Sequence, residues 1–294
     1  MTMSNAAMNL SSVLIRLLSA IVVSLSLGAC SAVKLGYNQL PDLGYWWLDS
    51  YFDFNETQTL RLRPEISALL QWHRKEELPK VAAALLKAQA AMPSAMTGPQ
   101  VCAVFGDLRG LFNNVVQRGL PAASELAPTL TAEQLQRLES KFAKGNDTYN
   151  RDYLRGSAAE RTDKRLKQAV ERAETFYGTL GEAQLAAVRK GLEASGFDAE
   201  LSNKERLRRQ SDALAMLRGL RGQNAASALA ALQAYVQRSN ASPDPAYRAY
   251  ALRLTQDSCN AFANTHNSTT PEQRAKAVQV LKGYEADMRS LAAQ

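Results

Sequence analysis

Apolar residues return along most of this chain with the period of an amphipathic helix. After Thr131 they fall at Leu135, Leu138 and Phe142; after Ser157 at Leu166, Ala169, Val170, Ala173, Phe176, Tyr177 and Leu180; after Thr270 at Val278, Leu281, Met288 and Leu291. That rhythm predicts helices with one face turned to a core. The runs are opened by a recurring punctuation, a Ser, Thr or Asn followed three residues later by Glu or Gln. Such a box satisfies two orphan backbone donors at once, because the cap oxygen takes the N3 N–H and the N3 side chain takes the cap N–H. It occurs at Asn55-x-x-Gln58, Thr97-x-x-Gln100, Thr131-x-x-Gln134, Ser157-x-x-Glu160, Ser202-x-x-Glu205 and Thr270-x-x-Gln273, and Ser242-Pro243 adds a cap with proline at the first helical position. Strand-type alternation of Val, Ile and Thr is absent. The expected fold is all-α, an irregular multi-helix bundle of about eight to ten helices with short turns.

Residues 1–29 break the pattern. A polar, cationic start ends at Arg16, an apolar run extends from Leu17 to Leu27, and Gly28-Ala29-Cys30 follows. The run is too short for a hydrocarbon core that needs about 20 residues, so it is read as the core of a signal peptide. Leu27-Gly28-Ala29-Cys30 resembles the lipobox of bacterial lipoproteins, in which the Cys thiol receives a diacylglyceryl group, the signal is cleaved before it, and the new amine is acylated. The resemblance implies a lipid anchor at Cys30, with the bilayer and the lipoprotein processing and sorting machinery as partners. Ser31 stands where inner-membrane-retained lipoproteins carry Asp, which implies the periplasmic face of the outer membrane. Met1, Met3 and Met8 are all candidate starts, Met8 to Arg16 giving a leader of more usual length. The expected organisation is a cleaved leader over 1–29, a lipidated tether with an aromatic segment over 30–54, and one helical domain over 55–294 with a soft division near 156.

Composition narrows the chemistry. The 294 residues are 46% hydrophobic with a mean hydropathy of −0.27, enough apolar matter for a core and too little for a multi-span membrane protein. Lys and Arg exceed Asp and Glu by 35 to 28. The basic runs Arg161–Arg172 and Lys204–Arg221 would suit an anion, but the cations of the second spread around the whole helical wheel, and Glu160, Asp163, Glu171, Glu205 and Asp212 interleave. Both are read as solvated mixed-charge faces, and export argues against nucleic acid as a partner. Two His and three Cys supply few ligands, no His-x-x-x-His occurs, and neither a metal nor a cofactor beyond the covalent lipid is expected. Once Cys30 is assigned to the anchor, Cys102 and Cys259 are left in a disulfide-permissive compartment; a bridge between them is expected, two separately buried thiols being the alternative.

Two segments carry candidate binding chemistry. Tyr37 to Phe54 holds seven aromatic rings, including Tyr45, Trp46 and Trp47, with Asp49 beside them. Such a run can be a membrane-interface belt, a stacking surface, or a strip tucked across the bundle as core; the last is the default, since exposed apolar area invites association. Trp72-His73-Arg74 with Glu77 places an imidazole and a carboxylate four residues apart on one helix face, where they form either a local ion pair or a proton-transfer couple. Pro79 is expected to end or kink that helix.

Lys34 to Pro41, Tyr45-Trp46-Trp47-Leu48-Asp49, Trp72-His73-Arg74 with Glu77-Leu78-Pro79, and Cys259 with His266-Asn267-Ser268-Thr269-Thr270-Pro271 together resemble a family of uncharacterised proteobacterial lipoproteins carrying a domain of unknown function. That resemblance implies a class and a compartment and no activity. Leu130-Thr131-Ala132-Glu133-Gln134 is similar to the Leu-Thr-x-x-Gln motif of small helical periplasmic stress chaperones, although helix capping produces the same letters. Three functions remain in view. The first is a non-enzymatic envelope lipoprotein binding a protein, peptide or lipid through Tyr45–Phe54 and the His73/Arg74/Glu77 helix; the second is an ATP-independent holdase. The third is an enzyme with His73 or His266 as general base. The spacing of 34 residues between Thr97 and Thr131 fits a tetratricopeptide unit, but the later boxes at 157, 202 and 270 do not keep it, so no regular solenoid is expected.

Overall fold

The computed structural model describes residues 33–294, so the leader, Cys30 and Ser31 lie outside the described residues. Two units are distinguished, one ending at Leu40 and one running from Pro41 to Gln294. In the first, residues 33–38 are helical. The helices that follow are α1 (Leu40–Phe52), α2 (Glu56–Trp72), α3 (Leu78–Ala91), α4 (Gly98–Leu126), α5 (Ala132–Tyr149), α6 (Ala158–Tyr177), α7 (Glu182–Glu193), α8 (Ala199–Leu220), α9 (Ala225–Asn240), α10 (Pro245–Asn267) and α11 (Pro271–Ala292). No strand occurs among the described residues, in keeping with the all-α expectation.

The boxes at Asn55, Thr97, Thr131, Ser157 and Thr270 all form as their letters predict, each opening a helix one residue later. Two predicted caps are corrected. Ser202 lies inside α8, whose N-cap is Asp198, its side chain accepting the Leu201 N–H at 2.9 Å. The cap expected at Ser242 falls at Asp244, and Pro245 rather than Pro243 takes the first helical position. The α-helix gives way just before Pro79. A π turn over His73–Glu77 precedes it, with the Leu78 N–H bonded five residues back to the His73 carbonyl, so α2 passes into α3 and Pro79 sits in the first turn of the new register. There the missing N–H of proline costs nothing, because the change of register has already taken the i−4 bond away. A second π turn, Asn150–Leu154, extends α5.

In the second unit α11 runs along α3, α10 packs on both α4 and α7, α9 packs on α4 and α8, and α5 meets α8. Burial is divided among several clusters. The largest gathers Leu120, Leu135, Leu138, Leu214, Leu217 and Leu232 from α4, α5, α8 and α9 with Leu130 from the turn before α5; another joins Met92, Tyr177, Leu180, Val188 and Leu281. Between α4 and α10, Met96, Val101 and Ala263 surround Cys259, which is disulfide-bonded to Cys102 with a Cα–Cα distance of 5.4 Å. The bridge closes a span of 157 residues.

Candidate functional site

The aromatic segment folds into α1 and divides by helical face. Tyr45, Leu48 and Phe52, spaced three and four apart, turn inward, while Leu43, Trp46 and Trp47 turn outward. Tyr45 is buried, its hydroxyl bonded to Thr59 Oγ1 at 2.8 Å and its ring covered by the Arg63 guanidinium at 4.0 Å. Arg63 also pairs with Asp42 at 2.8 Å, which pins α1 to α2 from its outer side. Trp46 and Trp47 are 58% and 61% exposed. The default reading of this segment as core therefore holds for Tyr45 and is corrected for the two tryptophans, since a helix with one face on α2 must turn its opposite face to solvent. Asp49 is structural: its carboxylate accepts the Phe54 N–H at 2.8 Å and fixes the turn that follows α1.

That turn passes through Asp53, whose φ of 56° is the left-handed conformation that L side chains resist. It lets both Phe52 and Phe54 face the bundle, with their rings stacked 5.4 Å apart. The Asp53 carbonyl accepts from Gln134 Nε2 at 3.1 Å, and its carboxylate pairs with Arg137 at 2.7 Å. Gln134 and Gln58, the N3 residues of two capping boxes, also exchange amide bonds with each other at 2.7 and 3.1 Å while buried. Each amide oxygen serves its own helix cap, and each Nε2 crosses to the other segment. The Leu-Thr-x-x-Gln letters at 130–134 are thus used in capping and in this pair. A second glutamine pair repeats the device: Gln184 Nε2 donates to the Ser268 carbonyl at 3.1 Å, and Gln273 Nε2 to the Thr179 carbonyl at 3.0 Å. A carboxylate could not do this, because it has no N–H to donate.

The His73 and Glu77 side chains lie at the two ends of the π turn. Glu77 is buried and accepts from Lys80 Nζ at 2.7 Å and Asn114 Nδ2 at 3.3 Å. Burial pushes its carboxyl up, but the Lys80 and Asn114 hydrogen bonds and the Lys80 and His73 charges outweigh that and hold it below the usual range. Burial lowers the half-buried His73 imidazole, opposed by the Glu77 charge. Trp72 carries the Arg118 guanidinium 5.9 Å above its ring, and Arg74 is half-buried.

The His-Asn-Ser-Thr-Thr-Pro segment forms a knot around the 92–97 loop. His266 has no exposed surface; its Nε2 lies 2.8 Å from the Ser94 carbonyl and its Nδ1 2.9 Å from the Tyr177 hydroxyl. A carbonyl only accepts, so Nε2 carries the proton and Tyr177 donates to Nδ1. Burial lowers the imidazole below its ordinary 6.5 despite the Ser94 bond, and burial pushes the Tyr177 phenol up to about 12. Asn267 clamps Met96 at both backbone atoms, donating to its carbonyl and accepting its N–H, each at 2.9 Å. Arg274 adds bonds to the Pro93 and Asn267 carbonyls. His266 and Asn267, candidates for binding by sequence, thus hold a loop in place. His266, Glu77 and Asp49 engage three separate sets of partners, so the convergence that a His-based acid–base site needs does not occur among them.

A cluster that sequence reasoning missed sits at Glu205. Arg208 grips this buried carboxylate with two bonds of 2.8 Å, Arg209 adds a third at 2.8 Å, and Ser242 donates at 3.0 Å. Burial raises the carboxyl, but the bonds from Arg208, Arg209 and Ser242 bring it from its ordinary 4.5 down to about 2. Asp212 extends the network to Arg238, binding it twice at 2.8 and 2.9 Å. The signal was present in the spacing of Glu205, Arg208, Arg209 and Asp212, three to four apart on one helix. Among the described residues, no group of three or more His, Cys, Asp and Glu side chains is placed to hold a metal ion, and no helix is long and apolar enough to cross a membrane.

Residues 50–248 match DUF6279, a family of unknown function. No curated protein and no solved structure matches the chain.

Proposed function

The chain belongs to DUF6279, and because that family carries no assigned activity we propose, from the residues themselves, that it is an outer-membrane-anchored lipoprotein facing the periplasm, with a helical binding role in the cell envelope. The observation that carries this reading is the outward face of α1, where Leu43, Trp46 and Trp47 are exposed on a helix whose opposite face is fixed by Tyr45. Indole rings favour the headgroup level of a bilayer, and this face follows shortly after Cys30, the residue the lipobox nominates for acylation. The acyl anchor holds the chain to the bilayer, and the paired-tryptophan face holds the domain itself against that membrane or against a partner lying on it.

The test has two arms. Cells expressing the full chain are fed radiolabelled palmitate and their membranes are separated by density; the label is expected on the chain in the outer-membrane fraction and is lost in Cys30→Ser. Pull-down from outer-membrane extract then compares the acylated chain with Trp46→Ala/Trp47→Ala, which is expected to lose its partners. Unlabelled chain released with the periplasm defeats the anchor, and unchanged partners defeat the aromatic face.

A further inference from the structure

Between α1, α2 and α4 lies a cavity of about 350 Å³ walled by Leu, Ile, Phe and Ala side chains and the backbone of Gly119, with Leu130, Leu217 and Leu232 among its buried lining and Glu65 and Arg118 as its two charged residues. It exists because α4 presents Gly119, Ala122 and Ala123 to the leucines of α2. A Cβ at Gly119 would meet nothing nearer than Leu69 Cδ2 at 3.9 Å, so the two helices are spaced rather than interlocked there. The volume falls within the range of small-molecule sites, roughly 300–1,000 Å³. Only Glu65, Ala68 and Arg118 of the lining are exposed, which places the mouth between α2 and α4.

The chemistry of the lining selects the occupant. The interior offers no donor or acceptor side chain, so a polar ligand would lose its water without replacement. A flexible hydrocarbon chain suits an irregular apolar void of this kind. The mouth carries one charge of each sign, and the two do not pair. Arg118 lies over the Trp72 ring, at 5.9 Å, and among the described residues no ion pair joins Glu65 to a cation. An anionic head alone would bring its charge to Glu65 as well as to Arg118. A head holding both a phosphate and an ammonium group answers both residues, because guanidinium binds phosphate in a fork and carboxylate accepts from ammonium.

We propose that this cavity binds a single-chain zwitterionic phospholipid, its acyl chain among Leu62, Ile66, Leu130 and Leu217, its phosphate at Arg118 and its ammonium at Glu65. The site does not rest on acylation of Cys30, since it is built wholly within residues 48–232. Photo-crosslinking tests it with the full chain in its membranes, using a diazirine-bearing palmitoyl lysophosphatidylethanolamine and, as a second probe, diazirine palmitic acid. The phospholipid probe is expected to label α2 and α4 peptides several-fold more than palmitic acid does. Ala123→Phe, which fills the cavity, is expected to cut that labelling about tenfold, the effect of losing roughly 1.4 kcal/mol of binding. Arg118→Gln, at an exposed residue, is expected to cut it several-fold, and Glu65→Gln to weaken the phospholipid while strengthening palmitic acid. Adducts outside α2 and α4, equal labelling by the two probes, or labelling indifferent to Arg118→Gln would each overturn the proposal, and the last decides even where Ala123→Phe fails to fold.

Discussion

The corner around His266 and the corner around Tyr45 share one local device and are finished in opposite ways. In both, capping-box glutamines give their oxygen to a helix start and their Nε2 to a distant segment: Gln184 and Gln273 in the first, Gln58 and Gln134 in the second. Around His266 the device is reinforced by a disulfide, an imidazole bonded at both nitrogens and an asparagine clamp, all closing on a loop with no regular structure of its own. Around Tyr45 the reinforcement is a hydroxyl bond and a guanidinium over a ring, and the space beside it is left open. The strongest constraints stand where a loop would otherwise pay its full conformational entropy, and the weakest stand beside the exposed tryptophans and the cavity, where a partner can contribute the missing contacts.

The contrast breaks most readily at the disulfide. In the chain-entropy model a bridge spanning 157 residues is worth about 5 kcal/mol, with measured values of roughly 2–5. Urea titration is expected to show Cys102→Ala/Cys259→Ala, or the reduced wild type, destabilised by several kcal/mol, whereas breaking the Tyr45 hydroxyl bond with Tyr45→Phe costs about 1 kcal/mol. Equal losses would remove the asymmetry between the corners.

The shared device is tested next. Gln134→Glu keeps the cap oxygen but removes the Nε2 donor and sets a carboxylate against the Asp53 carbonyl and the Gln58 amide oxygen, an unsatisfied buried arrangement costing about 3 kcal/mol at neutral pH. The loss should shrink in acid as the new carboxyl takes a proton. Gln100→Glu, in an exposed box whose glutamine serves only its own cap, is expected to change stability by less than about 0.5 kcal/mol. Equal costs at the two positions would show that Gln134 acts as a cap alone.

Acid separates the His266 corner from the Glu205 cluster. The folded state holds His266 below its ordinary 6.5, so below that pH the unfolded chain takes up a proton that the folded chain refuses. Stability is thus complete above about pH 6.5 and begins to fall beneath it. Glu205 is depressed from 4.5 to about 2, so its contribution, on the order of 3 kcal/mol, is complete above about pH 4.5 and is lost as pH falls toward 2. A stability profile is expected to descend in two steps, the upper one shared with His73, whose imidazole burial also lowers. Tyr177→Phe removes the donor to His266 Nδ1, costing about 1 kcal/mol and moving only the upper step. A profile flat down to pH 5 would refute the sealed imidazole.

Helix starts were legible in the sequence because a capping box is a local event. The failure at Ser202-x-x-Glu205 has the same origin: three-residue spacing also occurs inside helices, and only the tertiary position of Glu205, gripped by Arg208, Arg209 and Ser242, tells the two uses apart. The second task of the box glutamines was hidden, because Gln58, Gln134 and Gln273 stand in the same letters as Gln100, which serves only its own cap. Pairing of Cys102 with Cys259 followed from counting cysteines. The division of α1 into a Tyr45 face and a tryptophan face was available from its helical wheel and was missed by weighing the segment as a whole. The cavity had no signature at all, since it arises from small side chains on α4 meeting α2 across a distance that only the fold sets.

The smallest expected effect lies in the turn that shapes the open corner. Asp53 holds φ at 56°, a conformation costing a side chain roughly 1–2 kcal/mol in general and less for Asp, which bonds locally. Glycine at this position relieves the strain, while its extra freedom in the unfolded chain takes back about 0.5–1 kcal/mol. The lost Arg137 pair matters little, because both partners are more than half exposed. Asp53→Gly is therefore expected to lie within about 0.5 kcal/mol of wild type, whereas Asp53→Ala keeps the Cβ without the carboxylate and falls about 1 kcal/mol below the glycine variant. Urea midpoints with tryptophan emission as the probe resolve that difference. If the two variants are equally stable, the left-handed turn is not what directs Phe52 and Phe54 inward, and the open corner owes its shape to α2 and α4 alone.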